Sequence, residues 1–89
     1  MKKFVWDDEK NKWLSENREV CFDEIVYYIS QGYMIDILEH HNKLNYPGQK
    51  IFVVEILNYI YLIPFVENDE MIFLQTIISS RKATKKYKK

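Results

Sequence analysis

The sequence has few of the features that mark secreted or membrane-spanning chains. It contains one cysteine, Cys21, so no internal disulfide can form, and this favours a reducing compartment. The longest uncharged apolar run, residues 59–66, has eight residues including Pro64, whereas a membrane-spanning helix needs about 20. Acidic residues begin at Asp7, which is too early for a signal peptide. We therefore predict a cytoplasmic protein with one domain over residues 1–89.

The last nine residues, 81–89, lack any carboxylate. They carry six of the 13 Lys and Arg side chains, whereas residues 1–80 carry seven basic side chains and all 13 acidic ones. The net charge of zero therefore divides into +6 for this basic C-terminal segment and −6 for the rest of the chain. Such a positive end suits phosphate binding, and it equally suits an acidic protein partner.

Glycine and proline are scarce, and the apolar periodicity between them predicts the elements. Apolar residues at positions 22, 25, 26 and 29 indicate a helix that ends at Gly32. Alternating or continuous apolar runs predict strands at 4–6, 34–39, 50–57, 59–66 and 71–79, with a polar loop at 40–49. A polar helix at 8–17 and a short helix in the basic segment complete the pattern.

These elements predict an α+β fold with a small antiparallel sheet. The sheet is a three-stranded meander plus one or two further strands, and two helices pack on one of its faces. Because both faces of the strands are apolar, a partner or the C-terminal segment is expected to contact the other face.

Three segments resemble the BrnT family of bacterial toxins. Residues 4–11 (FVWDDEKN), followed by Asn17, are similar to the family's F-x-W-D-x-x-K-x-x-x-N opening, and residues 20–24 (VCFDE) to its V-[ST]-F-E-E helix start. Residues 77–84 (IISSRKAT) match its I-I-S-A-R-K-A-T signature most closely. Cys21 replaces the usual Ser or Thr, the middle strands lack Arg, and the body of this chain is acidic.

The resemblance implies a RelE-like fold and the toxin role in a type II toxin–antitoxin pair. It implies RNA cleavage that arrests growth and that needs neither a metal nor another cofactor. It also implies a DNA-binding antitoxin that neutralises the toxin in a hetero-oligomer and, with it, represses the operon. The alternative is a catalytically inactive toxin-like module that acts through antitoxin binding and operon regulation.

Metal-independent RNA cleavage requires a base, an acid and a cation that stabilises the phosphate. His40 and His41 are the only side chains with an ordinary pKa near neutrality, so they are the candidate base and acid. Arg81 is the candidate phosphate clamp because guanidinium binds two oxygens at once. The alternative to this catalytic hypothesis is that both histidines are ordinary exposed loop residues. The catalytic hypothesis requires the basic segment to lie beside the histidine loop.

Five further side chains are candidates for RNA contact. The cations would attract phosphates without sequence specificity, and an exposed tyrosine would stack on an unpaired base. These candidates are Lys43, Tyr46, Lys82, Lys85 and Lys86. Tyrosines within strands, such as Tyr59 and Tyr61, are expected in the core or in an interface. RNA binding is favoured if the carboxylates of the helices and the basic segment occupy opposite sides of the sheet.

Overall fold

The computed structural model describes residues 2–39, 44 and 48–88, which form an α+β fold. In chain order the elements are β1 (Lys3–Val5), α1 (Asp8–Asn17), α2 (Phe22–Ser30), β2 (Met34–Glu39), β3 (Lys50–Ile56), β4 (Tyr59–Glu67), β5 (Met71–Leu74), β6 (Ile78–Ser79) and α3 (Arg81–Tyr87). The predicted strand over 71–79 is in fact two strands, β5 and β6, which pair with different parts of β4. The short helix predicted in the basic segment is α3.

The sheet has the strand order β1-β5-β4-β3-β2, and β6 also pairs with β4. The predicted meander is formed by β3, β4 and β5, and β2 joins β3 in antiparallel orientation. One pair departs from the antiparallel prediction, because β1 runs parallel to β5. No hairpin joins these two strands, so no turn imposes an antiparallel direction on them.

A tight turn fixes the register of the central hairpin. Leu57 and Asn58 both have positive φ, 51° and 68°, which is the backbone of a type I′ turn. This turn matches the right-handed twist of the strands that it joins, β3 and β4. Further along β4, Pro64 lies where the outer partner of the strand changes from β6 to β5, so its missing N–H falls between the two pairings.

One face of the sheet packs against α1 and α2 and forms the main core. Phe52 of β3 and Phe65 of β4 stack with their ring centroids 3.8 Å apart. Phe22 and Ile25 of α2 pack in the same cluster, and both are fully buried. Burying this apolar surface is the main stabilising term for a domain of this size.

The side chain of Asn11 joins α1 to the start of α2. Cys21 occupies the N-cap position of α2 but makes no side-chain cap. Instead, Asn11 Oδ1 accepts a hydrogen bond from the Phe22 backbone N–H at 2.7 Å, and its Nδ2 donates to Asp23 Oδ2 at 2.9 Å. The sequence-distant Asn11 therefore satisfies a helix N-terminus that its own cap residue leaves open.

The third helix, α3, packs on the opposite face of the sheet. It lies over Leu62 and Leu38, which project away from the main core, and Val53 and Ile60 beneath this side are fully buried. The sheet is therefore covered by two helices on one face and by one short helix on the other. This arrangement agrees with the apolar character of both strand faces.

Candidate nucleic-acid interface

Two hydroxyl-bearing residues, Ser80 and Thr84, attach the first half of α3 to the beginning of β4. The Ser80 Oγ caps the helix by accepting the Ala83 N–H at 3.0 Å. The Ile60 N–H donates to Thr84 Oγ1 at 3.0 Å, and the Ile60 carbonyl accepts the Ser80 N–H at 3.1 Å. Both outward backbone groups of Ile60 are thus satisfied by α3 rather than by a neighbouring strand.

The C-terminal end of α3 is held by two carboxylates on the same side of the sheet. The Tyr87 hydroxyl donates to Asp36 Oδ2 of β2 at 2.9 Å. The Lys88 Nζ lies 2.6 Å from Glu55 Oε2 of β3 and also donates to Asn58 Oδ1 at 3.4 Å. Burial, and then the hydrogen bond to Asp36, raises the pKa of the Tyr87 phenol. These contacts anchor the C-terminal end of α3. They also pair Asp36 with a hydroxyl donor and Glu55 with a positive charge.

The outer side of α3 presents four cations, which we call the α3 cationic face: Arg81, Lys82, Lys85 and Lys86. At 3.6 residues per turn these positions cover about 140° of the helix, opposite the side that contacts the sheet. All four side chains are exposed, and none forms an ion pair with a residue in the described ranges. The charges are therefore available to an anionic ligand.

The carboxylates of the helices lie on the far side of the sheet from this face. They belong to α1 and α2, where they are exposed: Asp8, Glu9, Glu16, Asp23 and Glu24. At the α3 side of β2 and β3, the carboxylates are Asp36 and Glu55, which α3 itself engages. The carboxylates of α1 and α2 and the cations of the α3 cationic face thus lie on opposite sides of the sheet.

Only part of the predicted catalytic constellation can be located. Arg81 is exposed in the first turn of α3. His40, His41, Lys43 and Tyr46 lie outside the described residues. β2, which leads into that segment, passes beside α3, and Leu38 lines a groove of about 180 Å³ with Lys82 and Lys86.

An apolar strip on the α3 side of the sheet was not predicted as a site. Val66, Met71 and Phe73 are 37–40% exposed and, with Val5, line a shallow depression of about 220 Å³. The available signal was the apolar character of both strand faces, which indicated a contact but not its position. A larger depression on the opposite side, between α2 and the β3–β4 turn, was also missed.

Comparison with known proteins identified no relative. No protein-family model matches the chain, and neither the curated proteins nor the solved structures contain a match. Within the described ranges, no three His, Cys, Asp or Glu side chains are placed to hold a metal ion. In the same part of the chain, no helix is long and apolar enough to cross a membrane. The chemical character of the α3 cationic face therefore carries the functional argument.

Proposed function

We propose that this protein is a cytoplasmic toxin of a type II toxin–antitoxin pair that binds RNA through the α3 cationic face and cleaves it without a metal ion. The observation that carries the proposal is the set of four exposed cations that form no ion pair with any described residue and that the sheet separates from the helical carboxylates. The resemblance of residues 77–84 to the toxin signature supports the same assignment, because Arg81 and Lys82 lie within it.

In the proposed reaction, the α3 cationic face binds the RNA phosphates, and the pair of histidines transfers the protons. Arg81 binds two phosphate oxygens and stabilises the charge that develops during attack by the ribose 2′-hydroxyl. Lys82, Lys85 and Lys86 hold the neighbouring phosphates by displacing their counterions. A histidine of the pair His40 and His41 removes the 2′-proton, and the other protonates the leaving 5′-oxygen.

RNA binding is tested by the salt dependence of affinity for a labelled single-stranded RNA of 20 nucleotides. The double variant Lys82→Gln/Lys85→Gln should reduce the slope of log Kd against log salt by about 1.4, since each lost phosphate contact removes about 0.7. The matched control is Lys10→Gln/Lys12→Gln, which makes the same charge change on exposed α1. Equal slopes for the two double variants would show that α3 is not the binding surface.

Cleavage is tested separately by induced expression in bacteria without any antitoxin. Wild type should arrest growth and fragment transcripts. Arg81→Lys should retain RNA affinity but lose most cleavage, because an ammonium cannot replace the two-pronged guanidinium contact. His40→Ala and His41→Ala should likewise separate binding from cleavage. Normal growth with intact transcripts in the wild type would exclude the ribonuclease.

The apolar strip favours a second candidate, a non-catalytic role in a complex with the DNA-binding antitoxin. Exposed Val66, Met71 and Phe73 provide an apolar surface of the kind that protein partners cover. In that case the protein should co-purify with the product of the adjacent gene. Phe73→Asp should abolish the complex, whereas Lys82→Gln/Lys85→Gln should leave it intact.

A further inference from the structure

A depression lies between α2 and the end of the β3–β4 hairpin, on the side of the sheet opposite the α3 cationic face. Its volume is about 400 Å³, which falls within the range of about 300–1,000 Å³ of ligand pockets. Its wall includes side chains of the α1–α2 connection, of α2 and of the hairpin: Glu19, Glu24, Tyr28, Leu57, Tyr59 and Tyr61. We call it the tyrosine cleft.

Three aromatic rings give the tyrosine cleft its shape. Tyr59 and Tyr61 are two residues apart on β4, so both project toward α2. Their ring centroids are 5.7 Å apart and the rings are tilted by 64° to each other. Tyr28 faces them from α2, where its position is held by an edge contact of 5.5 Å with Tyr33. All three rings are half-buried, so each keeps accessible surface in the cleft.

The charge in the tyrosine cleft has one sign. Glu19 and Glu24 line it, and no lysine or arginine does so among the residues with described positions. The nearby Arg18 lines an adjoining cavity instead, with its guanidinium carbon 5.5 Å from the Trp13 ring centroid. The pKa of the Tyr61 phenol is raised, first by burial and then by Glu19, Tyr59 and Glu24. The negative field of both carboxylates therefore reaches the Tyr61 ring.

We propose that the tyrosine cleft binds an organic cation, an ammonium or guanidinium group, between the tyrosine rings and the carboxylates of Glu19 and Glu24. Ring faces and carboxylates both attract a positive charge, whereas phosphate and RNA are repelled. Glu19 has no other hydrogen-bond or ion-pair partner within the described structure, and Glu24 has only the weak Cys21 thiol contact at 3.6 Å. The site is thus separate in place and in charge from the proposed RNA surface.

Two sources can supply such a cation, an arginine side chain of a partner protein or a free polyamine. The probes are therefore acetyl-Gly-Arg-Gly-amide and spermidine, each titrated into the full chain and followed by the NMR signals of Tyr59, Tyr61 and the Leu57 amide. The control peptide has citrulline in place of arginine, because citrulline keeps the shape and removes the charge. Both cations, or one of them, should shift these signals, and the citrulline peptide should not.

Two variants test the assignment of the side chains. Glu19→Gln/Glu24→Gln should weaken binding of the cation by at least about tenfold, since two charge-assisted contacts are lost. Glu9→Gln/Glu16→Gln makes the same charge change on α1, outside the cleft, and should leave affinity within about twofold. Tyr59→Leu should weaken binding by about two- to fivefold through loss of the cation–ring contact.

Each result of these titrations either identifies the source of the cation or overturns the proposal. Shifts with spermidine alone identify a free polyamine, and shifts with the arginine peptide identify a partner's side chain. Equal response to the citrulline and arginine peptides overturns the proposal, because charge is then not recognised. It is overturned equally if neither cation shifts the signals, or if the Glu19→Gln/Glu24→Gln variant binds as tightly as wild type while folded by circular dichroism.

Discussion

The contact between Thr84 and Ile60 provides the sharpest test of how α3 is attached. Thr84 Oγ1 accepts the Ile60 N–H at 3.0 Å and donates to the Ser80 carbonyl at 2.7 Å. Ile60 is fully buried, so water cannot replace the lost partner if the hydroxyl is removed. Thr84→Val keeps the side-chain shape and removes the hydroxyl alone. The Ser80 carbonyl retains the Thr84 backbone N–H at 3.0 Å in this variant.

The size of the expected destabilisation follows from the Ile60 N–H, which the Thr84→Val substitution leaves without an acceptor. A buried N–H without a partner costs about 1–3 kcal/mol, and the extra apolar group of valine recovers only a small part of this. We therefore expect Thr84→Val to lower the free energy of unfolding by about 2 kcal/mol, or the Tm by roughly 8–16 °C. Thr84→Ser is the matched control, because it keeps the hydroxyl and loses only a methyl group. It should cost about 1 kcal/mol or less.

The assay is urea denaturation followed by far-ultraviolet circular dichroism, with the free energy extrapolated to zero urea. Amide hydrogen exchange of residues 81–88 shows whether α3 detaches before the rest of the domain unfolds. The reasoning is refuted if Thr84→Val lies within about 0.5 kcal/mol of wild type, a shift typical of surface substitutions. It is also refuted if Thr84→Ser destabilises as much as Thr84→Val.

Two further predictions concern stability. Asn11→Ala should destabilise by about 1–2 kcal/mol in urea, because the Phe22 N–H loses its acceptor, whereas exposed Lys12→Ala should have little effect; similar losses for both would contradict the capping role. The pKa of the Tyr87 phenol in the folded state is raised above its ordinary value of 10.0. The stabilisation that the neutral phenol gives the fold is therefore fully present below pH 10.0, and it is lost as the pH rises through the folded-state pKa. The difference in unfolding free energy between wild type and Tyr87→Phe should therefore shrink above pH 10, and a difference independent of pH would exclude this linkage.

The identity of most elements could be predicted because their apolar periods are local properties. The spacing of Phe22 and Ile25 defines α2, and Gly32 with φ 89° ends it. The α+β class and the antiparallel meander are confirmed for the same reason. The parallel pairing of β1 and the division of residues 71–79 into two strands were not predictable, because each depends on a partner distant in the chain.

For the candidate interface, the composition identified the cations but not which of them face solvent and which contact the rest of the protein. Arg81, Lys82, Lys85 and Lys86 follow from the sequence, whereas Lys88 could not be distinguished from them until its 2.6 Å contact with Glu55 was seen. Ser80 and Thr84 belong to the segment that resembles the toxin signature, yet their visible role is to cap β4 and α3. The tyrosine cleft combines residues between positions 19 and 79, so no local pattern signals it.

The sequence by itself determined the separation of charge along the chain and the period of each element, because both are properties of neighbouring residues. The tertiary structure alone decided that the separation along the chain becomes a separation in space. It does so by placing α3 across the sheet from α1 and α2, through the contacts of Thr84 with Ile60 and of Tyr87 with Asp36. The physical reason is that two requirements fix where the basic helix must lie: the second apolar sheet face must be buried, and the outward backbone groups of Ile60 need hydrogen-bond partners.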